Sequence, residues 1–168
     1  MDLEAWLDQH EAWVTQTIRR HGWAIEYVGG DTCSRPGCEC RPGDGPPFAY
    51  TVGMFGLGHP ELLILGVDQG TASGVLNALG DDIRNGAQLM PGVRITVDDW
   101  PHRIVPETVP NPGDILFEAN RFYQRPPEHS VPALQLTYDD KRGRFPWDEG
   151  YSAPQLQPRP GTFTAFPD

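Results

Sequence analysis

The first twenty residues show the spacing of an amphipathic helix. Apolar and aromatic side chains recur every three or four positions between Leu3 and Ile18 and fall on one face. Asp2 precedes this pattern as a helix cap, and Gly22 follows it as a stop. The pattern therefore predicts a helix with one face packed on the fold. His10 lies on the apolar stripe, and we interpret it as a packing residue rather than a ligand.

Three segments in the first half of the chain have the pattern of strands. Residues 23–28 alternate between apolar and polar positions, and residues 48–54 place large side chains on one side and small ones on the other. Residues 61–67 are apolar on both sides, which is typical of a strand covered on both faces. The sequence therefore predicts that this third strand is central in a sheet.

The second half of the chain continues with mixed elements. A helix capped by Asp68 is followed by a strand at 93–97, paired with 103–105, then by a helix from about Asp114 and a strand at 131–138. The order α-β-β-β-α-β-β-α-β is not the regular alternation of a doubly wound sheet. We therefore expect an α+β fold with a mostly antiparallel sheet or partly closed β-barrel and about three flanking helices. Residues 1–150 form the expected single domain, and 151–168 a proline-rich tail that packs on it or trails from it.

Charge and composition exclude several classes of partner. The net charge is -10 with a pI of about 4.8, and the basic residues are scattered along the chain. Nucleic acids and anionic membrane surfaces both select a basic face, so we expect neither as a partner. No apolar stretch approaches the ~20 residues that span a bilayer, and the acidic start lacks the pattern of a secretion signal. We therefore predict a cytoplasmic protein.

The cysteines form the first cluster with chemical potential. Cys33, Cys38 and Cys40 lie within eight residues, and thiolates are favoured ligands of zinc. Their spacing is not that of CxxC pairs, and a fourth ligand such as His59 would have to come from elsewhere. The alternative is a loop of reduced thiols without a bound ion. Zinc is thus a cofactor hypothesis for these three residues.

A second cluster surrounds the turn between the second and third strands. His59 and Glu61 lie near Tyr50 and Thr51 if the two strands form a hairpin. A histidine titrates near neutral pH and an adjacent carboxylate can orient it, so His59 and Glu61 are candidates for an acid–base catalytic pair. The alternative is structural, because a histidine at a turn also bonds backbone groups and Glu61 also suits a solvated strand start.

A third cluster follows the last strand. Gln135 lies on the face opposite Leu134 and Leu136, and its amide could bind a ligand. Arg144 stands among aromatic residues that include Trp147, an arrangement suited to carboxylate or phosphate binding. In the alternative interpretation the aromatic side chains fasten the tail to the sheet and Arg144 pairs with a neighbouring aspartate.

Four short motifs together resemble a known family. They are FAYTVG at 48–53, GHPEL at 58–62, ALQL at 133–136 and GRFPW at 143–147. In this order they are similar to the bacterial domain of unknown function 4262 family, over about residues 22–151. The resemblance implies a small cytoplasmic bacterial domain and carries no assigned reaction. The cysteine cluster is not part of the family's pattern.

Three function hypotheses follow. The leading one is a module that binds a small molecule or peptide at one end of the sheet, through Tyr50, Thr51, Gln135, Arg144 and Trp147. The rival is an enzyme of a biosynthetic or tailoring pathway that uses His59 and Glu61. The third, by analogy of architecture alone, is a flavin-binding split-barrel-like protein. The sequence lacks the GxSxG, GxxxxGK and HExxH motifs of common enzyme classes.

Overall fold

The computed structural model describes residues 2–29 and 45–165. Within these ranges the chain forms three α-helices and six strands in the predicted order. The helices are α1 Leu3–His21, α2 Gln69–Arg84 and α3 Phe117–Phe122, and the strands are β1 Ala24–Val28, β2 Phe48–Val52, β3 Glu61–Leu65, β4 Ile95–Thr96, β5 Arg103–Thr108 and β6 Ala133–Tyr138. The predicted α+β class is confirmed. No helix in this part of the chain combines the length and the apolar character needed to cross a membrane.

The ends of α1 follow from the two residues that flank it. The carboxylate of Asp2 accepts a hydrogen bond from the Ala5 N–H at 2.8 Å, which satisfies one of the free donors of the first turn. Gly22 adopts φ 96°, a left-handed conformation that glycine tolerates best, and its N–H bonds the Ile18 carbonyl. The predicted helix and both of its caps are confirmed.

The sheet is mixed and open. Its strand order is β1-β2-β3-β6-β5-β4, and four of its neighbouring pairs are antiparallel whereas β3 and β6 run parallel. The prediction of a mostly antiparallel sheet is therefore confirmed. Among the described strands the sheet ends at β1 on one side and at the two-residue β4 on the other, so it does not close into a barrel.

Helices cover both faces of this sheet. α2 packs on one face, where its apolar stripe meets a core that includes Leu62, Ile64 and Leu136. α1 and α3 pack on the opposite face, against a second core that includes Leu63 and Leu65. All five residues of β3 are buried, as predicted for a central strand.

The C-terminal segment contributes to the sheet. β6 has three register pairs with β3 and continues beyond them to Tyr138. The side-chain amide of Gln157 accepts a hydrogen bond from the Tyr138 N–H at 3.0 Å and donates one to the Tyr138 carbonyl at 2.8 Å. This amide supplies the bonds that a neighbouring strand would otherwise make. Phe163 packs edge-on against Phe48 with the ring centroids 5.2 Å apart. The described part of the segment thus packs on the fold; the division at residue 150 stays a prediction.

Candidate functional site

The turn between β2 and β3 is built around the carboxylate of Glu61. One oxygen accepts hydrogen bonds from the Thr51 hydroxyl at 2.8 Å and the Met54 N–H at 2.9 Å. The other accepts from the N–H groups of Gly53 and Phe55 at 3.0 and 3.2 Å. Burial raises the pKa of Glu61 by more than these four hydrogen bonds lower it, so the pKa rises from 4.5 to about 7. The buried carboxylate therefore accepts the hydrogen bonds of the backbone N–H groups in the turn.

His59 is the second predicted residue of this turn, and both of its ring nitrogens have backbone partners. Nδ1 lies 2.8 Å from the Pro60 carbonyl oxygen, and Nε2 accepts the N–H of Leu89 at 3.0 Å. These partners correspond to a neutral ring with its proton on Nδ1. The side chain is buried and ties the segment after α2 to the turn. A catalytic role for His59 and Glu61 stays a prediction, and their contacts give both a structural role.

Tyr50 and Gln135 lie in one row across the sheet. Tyr50 pairs with Leu63, and Leu63 pairs with Gln135, so all three side chains point to the face that α1 and α3 cover. The Tyr50 hydroxyl accepts the N–H of Glu118 at 3.0 Å, and the Gln135 amide donates to the Pro158 carbonyl at 3.0 Å. Both side chains are buried.

Arg144 and Trp147 belong to the loop after β6. Arg144 donates through Nη1 to the Gly150 carbonyl at 3.0 Å, a bond within its own loop. The Trp147 ring stacks on Phe145 with centroids 4.8 Å apart, and the Arg159 guanidinium lies 5.0 Å from the Trp147 ring centroid. The aromatic side chains thus join the loop to the C-terminal segment.

The predicted site residues therefore do not share one set of hydrogen-bond partners. Thr51 meets Glu61, whereas Tyr50, Gln135, His59 and Arg144 each bond a different part of the chain. A ligand-binding role for these residues stays a prediction. The metal prediction for Cys33, Cys38 and Cys40 falls on residues outside those that the structure describes.

A groove of about 540 Å³ lies between α1, α2 and the edge strand β1. Its volume is within the ~300–1,000 Å³ range of small-molecule sites. The contributing side chains are Trp13, Thr17, Arg20 and His21 near the end of α1; Trp23, Ile25 and Tyr27 in and before β1; and Gln69, Ser73, Asn77, Asp81 and Arg84 along α2. We call this feature the edge groove.

Simple periodicity brings these side chains together. Trp23, Ile25 and Tyr27 alternate along an extended segment and so point to one face. Positions 69, 73, 77 and 81 are four apart and form one stripe of α2. The edge groove therefore has aromatic rings along the strand and amide, hydroxyl and charged groups along the helix.

Internal hydrogen bonds fix part of the edge groove. The Trp23 indole N–H donates to the Asn77 amide oxygen at 3.0 Å, and the Arg84 guanidinium lies 4.6 Å from the centroid of the Trp23 ring. Arg84 also donates to the His21 carbonyl at 2.8 Å. In the part of the chain that the structure describes, the side-chain amide of Gln69 and the side-chain hydroxyl of Ser73 have no protein hydrogen-bond partner, so these two groups are available to a ligand.

Sequence reasoning missed the edge groove because its polar residues lie where an amphipathic helix faces solvent. Gln69, Ser73 and Asn77 lie beside the apolar stripe of α2, at polar positions that the pattern assigns to water. The available signal was the pair Trp13 and Tyr27, since the Trp13 side chain is exposed and that of Tyr27 is only partly buried.

Fold and site together define a class: an α+β domain with an open mixed sheet, helices on both faces and a mixed aromatic and polar groove at one edge. Residues 17–152 match the model of the family described as domain of unknown function (DUF4262). Because the match covers well over half of the chain, the protein belongs to this family, as the sequence motifs predicted. Comparison with curated proteins and with solved structures finds no match.

Proposed function

We propose that the chain is a binding domain, and that the edge groove holds a small polar molecule with a planar ring. The observation that carries this proposal is the combination of aromatic side chains from α1 and residues 23–27 with side-chain hydrogen-bonding groups from α2. A flat ring gains contact area against Trp13 and Tyr27, beside the buried Trp23, while Gln69 and Ser73 fix its polar edge. The predicted flavin belongs to this ligand class, and an absorbance spectrum of the purified protein tests for it directly.

The preformed wall supports this ligand class. Trp23 is held by its bond to Asn77 and by Arg84, so its orientation does not have to be fixed on binding. A ligand that meets ordered side chains avoids part of the ~0.5–1.5 kcal/mol entropy cost of immobilising each one.

The experiment is a fragment screen followed by protein-observed NMR on labelled protein. We expect polar fragments with a planar ring to shift the indole N–H signals of Trp13 and Trp23 and to leave that of Trp147 in place. The variant Ser73→Trp fills the edge groove and should abolish these shifts, whereas Gln155→Trp adds the same side chain at an exposed position and should preserve them. Fragments that bind Ser73→Trp as well as the natural chain would contradict the proposal.

An extended peptide is a second candidate ligand, because β1 is an edge strand of the described sheet. A peptide could add a strand alongside β1 and place alternate side chains in the edge groove. Such pairing would slow amide hydrogen exchange at every second residue of β1, which a small molecule would not do. Selection of binders from a random-peptide display library, followed by exchange measurements, distinguishes the two candidates.

A cytoplasmic location remains part of the proposal.

A further inference from the structure

Three potential metal ligands converge on the sheet face opposite α2. They are His10 of α1, Glu26 of β1 and Glu118 of α3, and one nitrogen or oxygen atom from each lies within 4.8 Å of the others. His10 Nε2 and Glu26 Oε1 are in direct hydrogen-bond contact. Glu26 is only 8% exposed, although carboxylates are seldom buried without a partner. Three separate elements thus bring one imidazole and two carboxylates together.

The surrounding contacts orient these side chains. The His10 ring stacks on Trp6 with centroids 4.8 Å apart and an angle of 5° between the planes. Glu26 stands directly opposite Tyr50 in the β1·β2 ladder, and the Tyr50 hydroxyl accepts the Glu118 N–H at 3.0 Å. Tyr50 therefore connects the strand that carries one carboxylate to the helix that carries the other. Such support of the ligands by neighbouring groups is a regular feature of metal sites.

The donor set selects the type of ion. Metal bonds of about 2.0–2.2 Å to nitrogen and oxygen place neighbouring ligand atoms about 3–3.5 Å apart. Small side-chain rotations would bring the three ligand atoms, now within 4.8 Å of one another, to these distances. Mg²⁺ and Ca²⁺ prefer sites made of oxygen, whereas an imidazole with carboxylates suits transition metals, among which Zn²⁺ binds more tightly than Mn²⁺ or Fe²⁺.

We propose that His10, Glu26 and Glu118 bind a divalent transition-metal ion, Zn²⁺ in preference to Mg²⁺, and that water completes its coordination. The imidazole nitrogen and the carboxylates bind the ion in their deprotonated forms, so binding weakens as the pH falls. None of the three residues lines the edge groove, so this proposal does not depend on the proposed function.

Isothermal titration calorimetry with ZnCl₂ and MgCl₂ tests the proposal. The starting protein is the variant Cys33→Ser/Cys38→Ser/Cys40→Ser, because the thiols are a separate zinc hypothesis. We expect one equivalent of Zn²⁺ to bind this protein and to raise its melting temperature. His10→Gln and Glu118→Gln should each weaken Zn²⁺ binding by about 100-fold or more, since even loss of a group that only supports a ligand costs about 10–100-fold. The exposed residues His129 and Glu128 provide the matched controls His129→Gln and Glu128→Gln, which should bind as the parent does.

Three results would overturn the proposal. They are no Zn²⁺ binding by the cysteine-free protein, Mg²⁺ binding as tight as Zn²⁺ binding, and unchanged Zn²⁺ affinity in both ligand variants. Circular dichroism without metal checks that each variant is folded. If His10→Gln unfolds, Glu118→Gln decides, because Glu118 is only partly buried and its amide analogue keeps the side-chain shape.

Discussion

Replacement of Thr51 by valine tests whether the β2–β3 turn is a structural unit. The Thr51 hydroxyl accepts the Leu62 N–H at 2.9 Å and donates to Glu61 at 2.8 Å, and the side chain is fully buried. Valine has almost the same shape and preserves the strand but makes neither bond. The change therefore isolates the contribution of one hydroxyl group.

The expected loss of stability can be worked out bond by bond. A buried N–H left without an acceptor costs about 1–3 kcal/mol, and a hydrogen bond to a charged group is worth about 1.5–3 kcal/mol. The additional buried methyl group returns up to about 0.8 kcal/mol. Above pH 7, where Glu61 is ionised, Thr51→Val should therefore lower the free energy of unfolding by about 2–5 kcal/mol, a large share of the ~5–15 kcal/mol typical of a domain.

The pH dependence identifies the role of Glu61. Its pKa is raised from 4.5 to about 7 in the folded chain, so between these values the folded protein keeps a proton that the unfolded chain releases. The stability that this group contributes is complete below pH 4.5 and is lost as the pH rises to about 7, by about 3 kcal/mol. Because the Thr51 hydroxyl lowers this pKa, valine should extend the loss to higher pH and cost more stability at pH 8 than at pH 5.

Urea unfolding followed by fluorescence at pH 5 and pH 8 measures both effects. The control Thr108→Val makes the same change at an exposed position of β5 and should alter the free energy of unfolding by less than about 0.5 kcal/mol. Equal unfolding midpoints for Thr51→Val and the natural chain would refute the structural role of this hydroxyl. An equal loss at both pH values would refute its coupling to Glu61.

Two further predictions concern α2 and His59. A methyl group added by Gly80→Ala would lie 2.6 Å from the Trp23 ring, so this variant should lower the free energy of unfolding, measured with a denaturant, by about 1–3 kcal/mol. The control Gly74→Ala in the same helix meets nothing within 4 Å and should stabilise the protein by about 0.5–1 kcal/mol. A stabilising Gly80→Ala would show that Trp23 is not fixed there. His59→Ala leaves the Leu89 N–H without its acceptor and should lower the free energy of unfolding by about 1–3 kcal/mol or more. The control is His129→Ala, which makes the same change at an exposed position. An unchanged melting temperature of His59→Ala would instead favour a site role for His59.

The sequence predicted the elements well because their signals are local. The apolar spacing of α1, the caps at Asp2 and Asp68, and the apolar residues of β3 each lie within one short segment. The pairing of β3 with β6 had no such signal, because Leu63 and its partner Gln135 are far apart in sequence. Periodicity also could not predict the two hydrogen bonds between the Tyr138 backbone and the Gln157 side chain.

The candidate site was less predictable for the same reason. The contact between Thr51 and Glu61 follows from a hairpin, so sequence reasoning brought them together correctly. The partners of Tyr50, Gln135 and His59 come from α3, the C-terminal segment and the segment after α2, whose positions depend on the whole fold. The sequence interpretation of His10 as a packing residue rather than a ligand differs from the metal proposal. The His10 ring does stack on Trp6, but its contact with Glu26 depends on the position of β1.

The parallel β3·β6 pair has a consequence for how the chain is made. β1, β2 and β3 are complete by Leu65, whereas β6 begins only at Ala133. During synthesis the apolar run from Leu62 to Leu65 therefore has one edge paired with β2 and the other edge open until most of the chain has emerged. An open apolar strand edge is a template for pairing with other chains. Aggregation during expression should thus depend on how quickly β6 reaches this edge.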